Sequence, residues 1–215
     1  MHHISGLQVL IWDFDGTLYK QKPALWDDIR ASEIRTVMEH TGWSEEKAKE
    51  EFYKVYKIET PSGTKTVSRI TGISNTQSAA ETGQHVNYEK YLEKDQKLIT
   101  MFAALKRYRH FMLVNGTQTS VTNGLSLLGV DKEIFEEIVT SEVMGESKPG
   151  EAGYRYILQK TGLPSEVHCM IGDREQVDLV TAKRLGMRTC LVWTKEKSLI
   201  SDVTLPSVYD IVNIL

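Results

Sequence analysis

Cysteine occurs only twice in 215 residues, and both copies, Cys169 and Cys190, lie inside apolar runs. Such thiols read as buried and reduced, which argues against a disulfide framework or a cysteine metal pair. No stretch approaches the roughly 20 apolar residues of a membrane span. The opening Met1-His2-His3-Ile4-Ser5-Gly6 has neither the basic nor the apolar region of a secretory signal. Net charge is only −3, so no broad field draws the chain to nucleic acid or to an anionic membrane. An anionic ligand therefore has to be held locally, by a metal, a lysine or backbone amides. Internal repeats and low-complexity tracts are also missing. Together these absences favour a cytoplasmic protein without nucleic-acid or membrane partners.

What is present is the composition of an ordinary globular chain, 40% hydrophobic and 26% charged, long enough to bury a substantial core. Its most informative stretch is Val9-Leu10-Ile11-Trp12-Asp13-Phe14-Asp15-Gly16-Thr17-Leu18. The apolar run is short and rich in β-branched and aromatic residues, so it reads as a buried strand. Asp13 and Asp15 follow where that strand leaves the sheet, the edge at which open α/β sheets place ligands. Two acids there are costly unless a cation or a hydrogen-bond network compensates them. A plain Asp-Gly turn is the competing reading.

From about residue 23 to 109 the texture is charged and helical. Helices are expected over 24–40, stopped by Gly42, and from the capping box Ser44-Glu45-Glu46-Lys47 through Phe52, Tyr53 and Tyr56. Pro61-Ser62-Gly63-Thr64 is a break before a short helix ending at Gly72. Residues 74–86 read as loop with some helix, and 87–107 as helix. From His110 onward, strands (111–114, 136–140, 167–171, 188–193 and one near Val203) alternate with helices (119–128, 149–161, 176–185, 206–215). This alternation predicts a parallel sheet with helices on both faces. The helical block interrupts it just after the first strand, as an insertion placed to roof the strand ends.

Three later strand ends carry polar groups. Val114-Asn115-Gly116-Thr117 leads into a helix, and exposed amides there suit a phosphate. Lys148, before Pro149, can offer a point charge to the same group. Asp173 ends a strand in Gly172-Asp173, and Asp178 follows in the next helix. Four acids gathered at one edge repel one another unless a divalent cation lies between them, and an oxygen donor set points to magnesium.

In this order the motifs resemble the haloacid dehalogenase-like hydrolase superfamily, in its phosphatase branch with a helical cap after the first motif. The resemblance rests on Asp13-Phe14-Asp15-Gly16-Thr17-Leu18, the Val114-Asn115-Gly116 strand end, Lys148-Pro149, and Gly172-Asp173 with Asp178. It implies a Rossmann-like α/β core from residues 1–18 and 108–215, and a cap over 19–107 that sets specificity. It further implies a magnesium-dependent phosphatase acting on a small phosphorylated metabolite, a sugar phosphate or nucleotide monophosphate, through an aspartyl-phosphate. Asp13 is then the nucleophile and Asp15 the acid/base, a residue that argues against carbon–halogen chemistry. Asp13, the Asp15 carbonyl, Asp173 and Asp178 hold the metal, and Lys148 offsets charge at the phosphoryl group. Val114, Asn115, Gly116 and Thr117 line the phosphate site, although Val114 stands where the family carries serine or threonine. Tyr19, Lys54, Lys57, Lys65 and Arg69 are candidate substrate-facing residues. A phosphomutase related to β-phosphoglucomutase and a non-hydrolytic ligand-binding member are the alternatives.

Overall fold

The computed structural model describes residues 4–59 and 62–215. The readings made for Met1-His2-His3 and for the break at Pro61 lie outside the described residues. Among the described residues, six strands make one sheet: β1 (Val9–Trp12), β2 (Arg109–Val114), β3 (Glu137–Thr140), β4 (His168–Gly172), β5 (Arg188–Val192) and β6 (Val203–Leu205). Their order is β3-β2-β1-β4-β5-β6, and every pairing is parallel. Helices α1 (Pro23–Thr41), α2 (Glu45–Glu59), α3 (Gly63–Thr71) and α4 (Asn75–Gly83) follow β1, and α5 (Gln96–Ala104) precedes β2. Helices α6 (Gln118–Leu128), α7 (Ser141–Met144), α8 (Ala152–Thr161) and α9 (Val180–Arg184) connect the later strands.

β1 is buried along its whole length because both faces of the sheet are covered. Leu10 and Trp12 point to one face, where Met112, Ile171 and Val192 meet α5, α6 and the C-terminal 3₁₀ turns through Leu98, Phe102, Leu125 and Ile211. Val9 and Ile11 point to the other, with Phe111, Leu113 and Met170 against Tyr154 and Ile157 of α8 and Ala182 of α9. Each such buried side chain contributes on the order of 1.5–3 kcal/mol. The indole Nε1 of Trp12 donates to His110 Nδ1 at 3.0 Å, and His110 Nε2 lies 3.0 Å from the Leu105 carbonyl. Burial lowers the His110 pKa, so this core histidine is a satisfied neutral group.

Helices α1–α3 have their own small core of Ile34, Val37, Ala48, Phe52 and Val67. α5 lies within 19–107 by sequence, yet its apolar residues pack on the sheet. Several elements depart from the sequence expectation. Residues 74–86 hold a true helix, α4, whose start is fixed by Ser74 Oγ accepting from Gln77 N at 3.1 Å. The single helix expected over 87–107 is split into a 3₁₀ turn, Tyr88–Lys90, and α5, because Asp95 caps α5 by accepting from Lys97 N and Leu98 N. α8 begins at Ala152 rather than Pro149; Glu146 Oε2 accepts from Ala152 N at 2.8 Å and caps it from outside. The helix expected at 176–185 opens as a π turn, Glu175–Leu179, before α9, and the C-terminal helix is 3₁₀ over Val208–Asn213. No helix among the described residues is long and apolar enough to cross a membrane.

Candidate active site

From β1 the chain crosses to β2 and β3 on one side, then returns to β4, β5 and β6 on the other. The crevice outside the carboxyl ends of β1 and β4 is therefore the topological switch point. Asp13 leaves β1 there and is 2% exposed. Its Oδ1 accepts from Lys148 Nζ at 2.6 Å and its Oδ2 from Thr17 Oγ1 at 3.2 Å. The same Nζ donates to Asp178 Oδ1 at 2.7 Å, while Asp178 Oδ2 accepts from Arg174 N at 3.1 Å. Burial alone would lower the Lys148 pKa, but Asp13 and Asp178 outweigh it and hold the ammonium charged.

Lys148 is positioned by Asn115. The amide Nδ2 donates to the Lys148 carbonyl at 2.9 Å, and Lys148 N donates back to Asn115 Oδ1 at 2.6 Å. The end of β2 thus sets the backbone of the loop that carries the cation. Gly16 has φ +82°, and a Cβ there would come within 2.5 Å of Asp173 Oδ2. Only glycine lets the loop after β1 turn this way and approach the loop after β4.

Asp13, Asp173 and Asp178 each present a carboxylate oxygen within 4.8 Å of the others. Burial, then repulsion from Asp13 and Asp178, pushes Asp173 up to about 8. Burial also raises Asp178, with Lys148 opposing. Asp173 Oδ1 is buried and has no hydrogen-bond partner among the described residues. Lys148, and Arg174 with its Nε 3.8 Å from Asp173 Oδ1, bring two positive charges against three carboxylates, and the all-oxygen donor set fits a hard divalent cation.

Asp15 faces away from this triad. Tyr19 OH donates to its Oδ1, and Tyr88 OH lies 3.1 and 3.2 Å from Oδ1 and Oδ2. Burial pushes Asp15 up to about 6, against the hydrogen bond from Tyr19 and with Asp13 adding to the rise. A carboxyl poised there suits proton transfer near neutral pH. Its side chain is thus separated from the candidate metal ligands, leaving only its backbone carbonyl for that role.

The cavity facing these groups has two adjoining lobes of about 60 Å³ each. The first reaches Asp13, Asn115, Arg30 and Arg174; the second reaches Gly116, Thr82, Tyr88 and Val121. Val114 lines both and offers only methyl groups. Thr117 does not replace a hydroxyl there, because its Oγ1 caps α6 by accepting from Ser120 N at 3.1 Å. Tyr19 is buried and holds Asp15 instead of lining the cavity. Arg69 is exposed and paired with Glu59, Lys54 is exposed and paired with Glu51, and neither they nor Lys57 and Lys65 reach either lobe. The residues that do descend from the helical unit include Trp26, Arg30, Glu33, Tyr56 and Thr82, none of which the sequence marked as substrate-facing. Arg174 was missed as well, although it directly follows Gly172-Asp173; its guanidinium lies 5.2 Å from the Trp26 ring.

The family signature of haloacid dehalogenase-like hydrolases matches residues 10–192. The chain belongs to that family. Among curated relatives, it is 32% identical over 107 residues to a glyceraldehyde 3-phosphate phosphatase of Methanocaldococcus jannaschii, covering 44% of this chain and 47% of the relative. A protein of the same name from Methanothermobacter thermautotrophicus is 31% identical over 87 residues, 40% of this chain and 38% of the relative. The match therefore spans less than half the length of each. Among solved structures, a HAD phosphatase from Thermococcus onnurineus superposes with TM-score 0.65 at 17% identity, covering 97% of both chains. A Bacillus subtilis HAD-hydrolase bound to magnesium superposes equally well, TM-score 0.65 at 15% identity over 97% of this chain and 98% of that one. At those identities the likeness is one of fold.

Proposed function

We propose that this chain is a magnesium-dependent phosphatase of a small phosphorylated metabolite, working through an aspartyl-phosphate on Asp13. The observation that carries this reading is the placement of Lys148 Nζ between Asp13 and Asp178, at 2.6 and 2.7 Å, beside an Asp173 oxygen that accepts no hydrogen bond among the described residues. Asp13, Asp173, Asp178 and the Asp15 carbonyl would hold the cation. When bound, a divalent cation supplies charge neutralisation for phosphoryl oxygens and carboxylates.

In this reading Asp13 attacks phosphorus while Asp15, its proton held near neutrality, protonates the leaving oxygen. Asp15 then accepts a proton from the water that hydrolyses the acyl phosphate. Lys148 stabilises the Asp13 carboxylate and the phosphoryl oxygens, and the amides of Asn115 and Gly116 bind the phosphate where Val114 offers no hydroxyl. Helices α1–α4, within the 19–107 cap, close over the site.

Cavity size favours the sugar-phosphate side of the expectation. The lobes are about 60 Å³ each and share much of their lining, which suits a compact phosphate ester better than a nucleotide. The names of the two archaeal relatives point the same way. The test is phosphate release with magnesium across triose phosphates, hexose phosphates and nucleotides. Triose phosphates are expected to turn over fastest, and Asp13→Asn to lose at least about 10⁴-fold in kcat. A nucleotide preference, isomerisation without release, or normal turnover by Asp13→Asn would each defeat the reading.

A further inference from the structure

Glu33 lies in the third turn of α1, away from any motif, yet its carboxylate lines both lobes of the cavity. The residue is only 7% exposed. Arg30 holds Oε2, and the Arg30 guanidinium is itself stacked on Phe52 at 4.8 Å and Tyr56 at 4.3 Å. Oε1 lies against Gly63 so closely that a Cβ there would sit 1.6 Å from it. The helical unit therefore leaves space for an acid at this point, fixes its orientation, and exposes it to the cavity. A carboxylate kept out of water, bonded by Arg30 alone and with Arg174 acting at longer range, is costly to ionise. A ligand that donates to it recovers part of that cost.

A second, independent group points into the same space. Thr82 Oγ1 is buried without a hydrogen-bond partner among the described residues, in the lobe farther from Asp13. The remaining lining there is mixed, with Ile29, Val86, Val114 and Val121 beside Asp15, Tyr88 and Ser120. With Arg30 and Arg174 already supplying positive charge on the Asp13 side, the complementary group is a neutral donor. We propose that Glu33 is a specificity-determining residue, accepting a hydrogen bond from a hydroxyl on the carbon chain of the substrate, with Thr82 as the second polar contact. The substrate class is then a short hydroxylated phosphate ester, which rests on the phosphatase reading.

The experiment compares glycerol 3-phosphate with n-propyl phosphate, which has the same carbon count and no hydroxyl. Calorimetric titration of the Asp13→Asn chain with magnesium reads affinity without turnover, and the common background cancels in the ratio. The Asp13→Asn chain is expected to bind glycerol 3-phosphate about tenfold more tightly, the worth of one well-placed hydrogen bond. Adding Glu33→Gln, whose amide no longer offers two equivalent acceptors, is expected to bring the ratio toward one. Adding Thr82→Val, which removes no internal hydrogen bond, should lower it by a smaller factor and covers the case in which Glu33→Gln unfolds. A ratio near one at the outset, equal weakening of both esters, or a ratio unchanged by both variants overturns the assignment. Phosphate release by the wild-type chain is measured in parallel. Its absence with the affinity ratio intact overturns hydrolysis and upholds Glu33.

Discussion

Lys148 is buried against two buried carboxylates, so its removal leaves Asp13 and Asp178 without their shared charge partner. Breaking a buried pair of this kind costs about 3–5 kcal/mol. Urea unfolding of Lys148→Met in chelator is expected to show a loss of that order, partly restored by magnesium, which would take over the role of the missing charge. A full loss with no magnesium rescue would count against the metal assignment. Glu33 supplies a pH test. Burial pushes it up to about 7 from 4.5, with Arg30 and Arg174 opposing. The folded state therefore holds a proton that the unfolded chain has released between these values, so stability falls as pH rises from about 4.5 to 7. At about 1.4 kcal/mol per unit this is on the order of 3 kcal/mol. Unfolding midpoints of wild type and Glu33→Gln measured at pH 5 and pH 8 should diverge, the wild type losing more on going to pH 8; parallel behaviour would refute the shift. The sequence marks Asp13, Asp15, Lys148, Asp173 and Asp178 because motif spacing and strand ends expose them. It does not mark Glu33 or Arg174, because their importance lies in what folds against them.

At the level of elements, the site depends on how loops are tied to their neighbours. Phe14, between the two aspartates, packs on α6 so closely that a Cβ on Gly124 would come 2.3 Å from its ring. Gly124→Ala gains roughly 1 kcal/mol of helix propensity but forces the ring aside, at about 1–3 kcal/mol. A lower melting temperature with kcat reduced more than KM changes is expected; an unchanged kcat would show that the loop tolerates the shift. The Trp193 indole donates to the Thr17 carbonyl at 2.9 Å, fastening the same loop from the end of β5. The misread elements have a common cause. α4 is short and mostly polar, so its weak apolar periodicity reads only as loop with some helix, and its serine cap fixes where the helix starts. The break before α5 is set by Asp95, whose capping bonds outweigh the continuous apolar pattern. That break has a consequence for chemistry, because it turns Tyr88 inward onto Asp15.

For the molecule as a whole, the helical unit meets the sheet edge through specific contacts, including Asn75 Nδ2 donating to the Gly145 carbonyl at 3.2 Å. Ser62 Oγ lies 2.9 Å from Ser147 Oγ, next to Lys148, and Tyr88 reaches Asp15. A cation bound at the switch point should stabilise this whole arrangement by mass action. At a free magnesium concentration about 100-fold above its dissociation constant, the gain is about 2.7 kcal/mol, or roughly 5–10 °C for a chain of this size. Calorimetric scans with magnesium and with chelator should show that rise for the wild type and a much smaller one for Asp178→Asn. Equal shifts in both would place the metal elsewhere.

By itself the amino-acid order determined the alternating strand and helix plan and the carboxylates at the strand ends. It could do so because strand periodicity, buried apolar runs and motif spacing are local properties of the chain. Which strands lie side by side was decided only in three dimensions, where β1 sits between β2 and β4 and brings Asp13 to Asp173 and Asp178. The division of labour between the two first aspartates was decided there as well, with Lys148 on Asp13 and two tyrosines on Asp15. So was the lining of the cavity, where exposed Lys54 and Arg69 are absent and half-buried Arg30 and buried Glu33 are present. Long-range packing makes that choice, since a helix's sequence shows its apolar face but not which polar residue a neighbouring glycine will let inward.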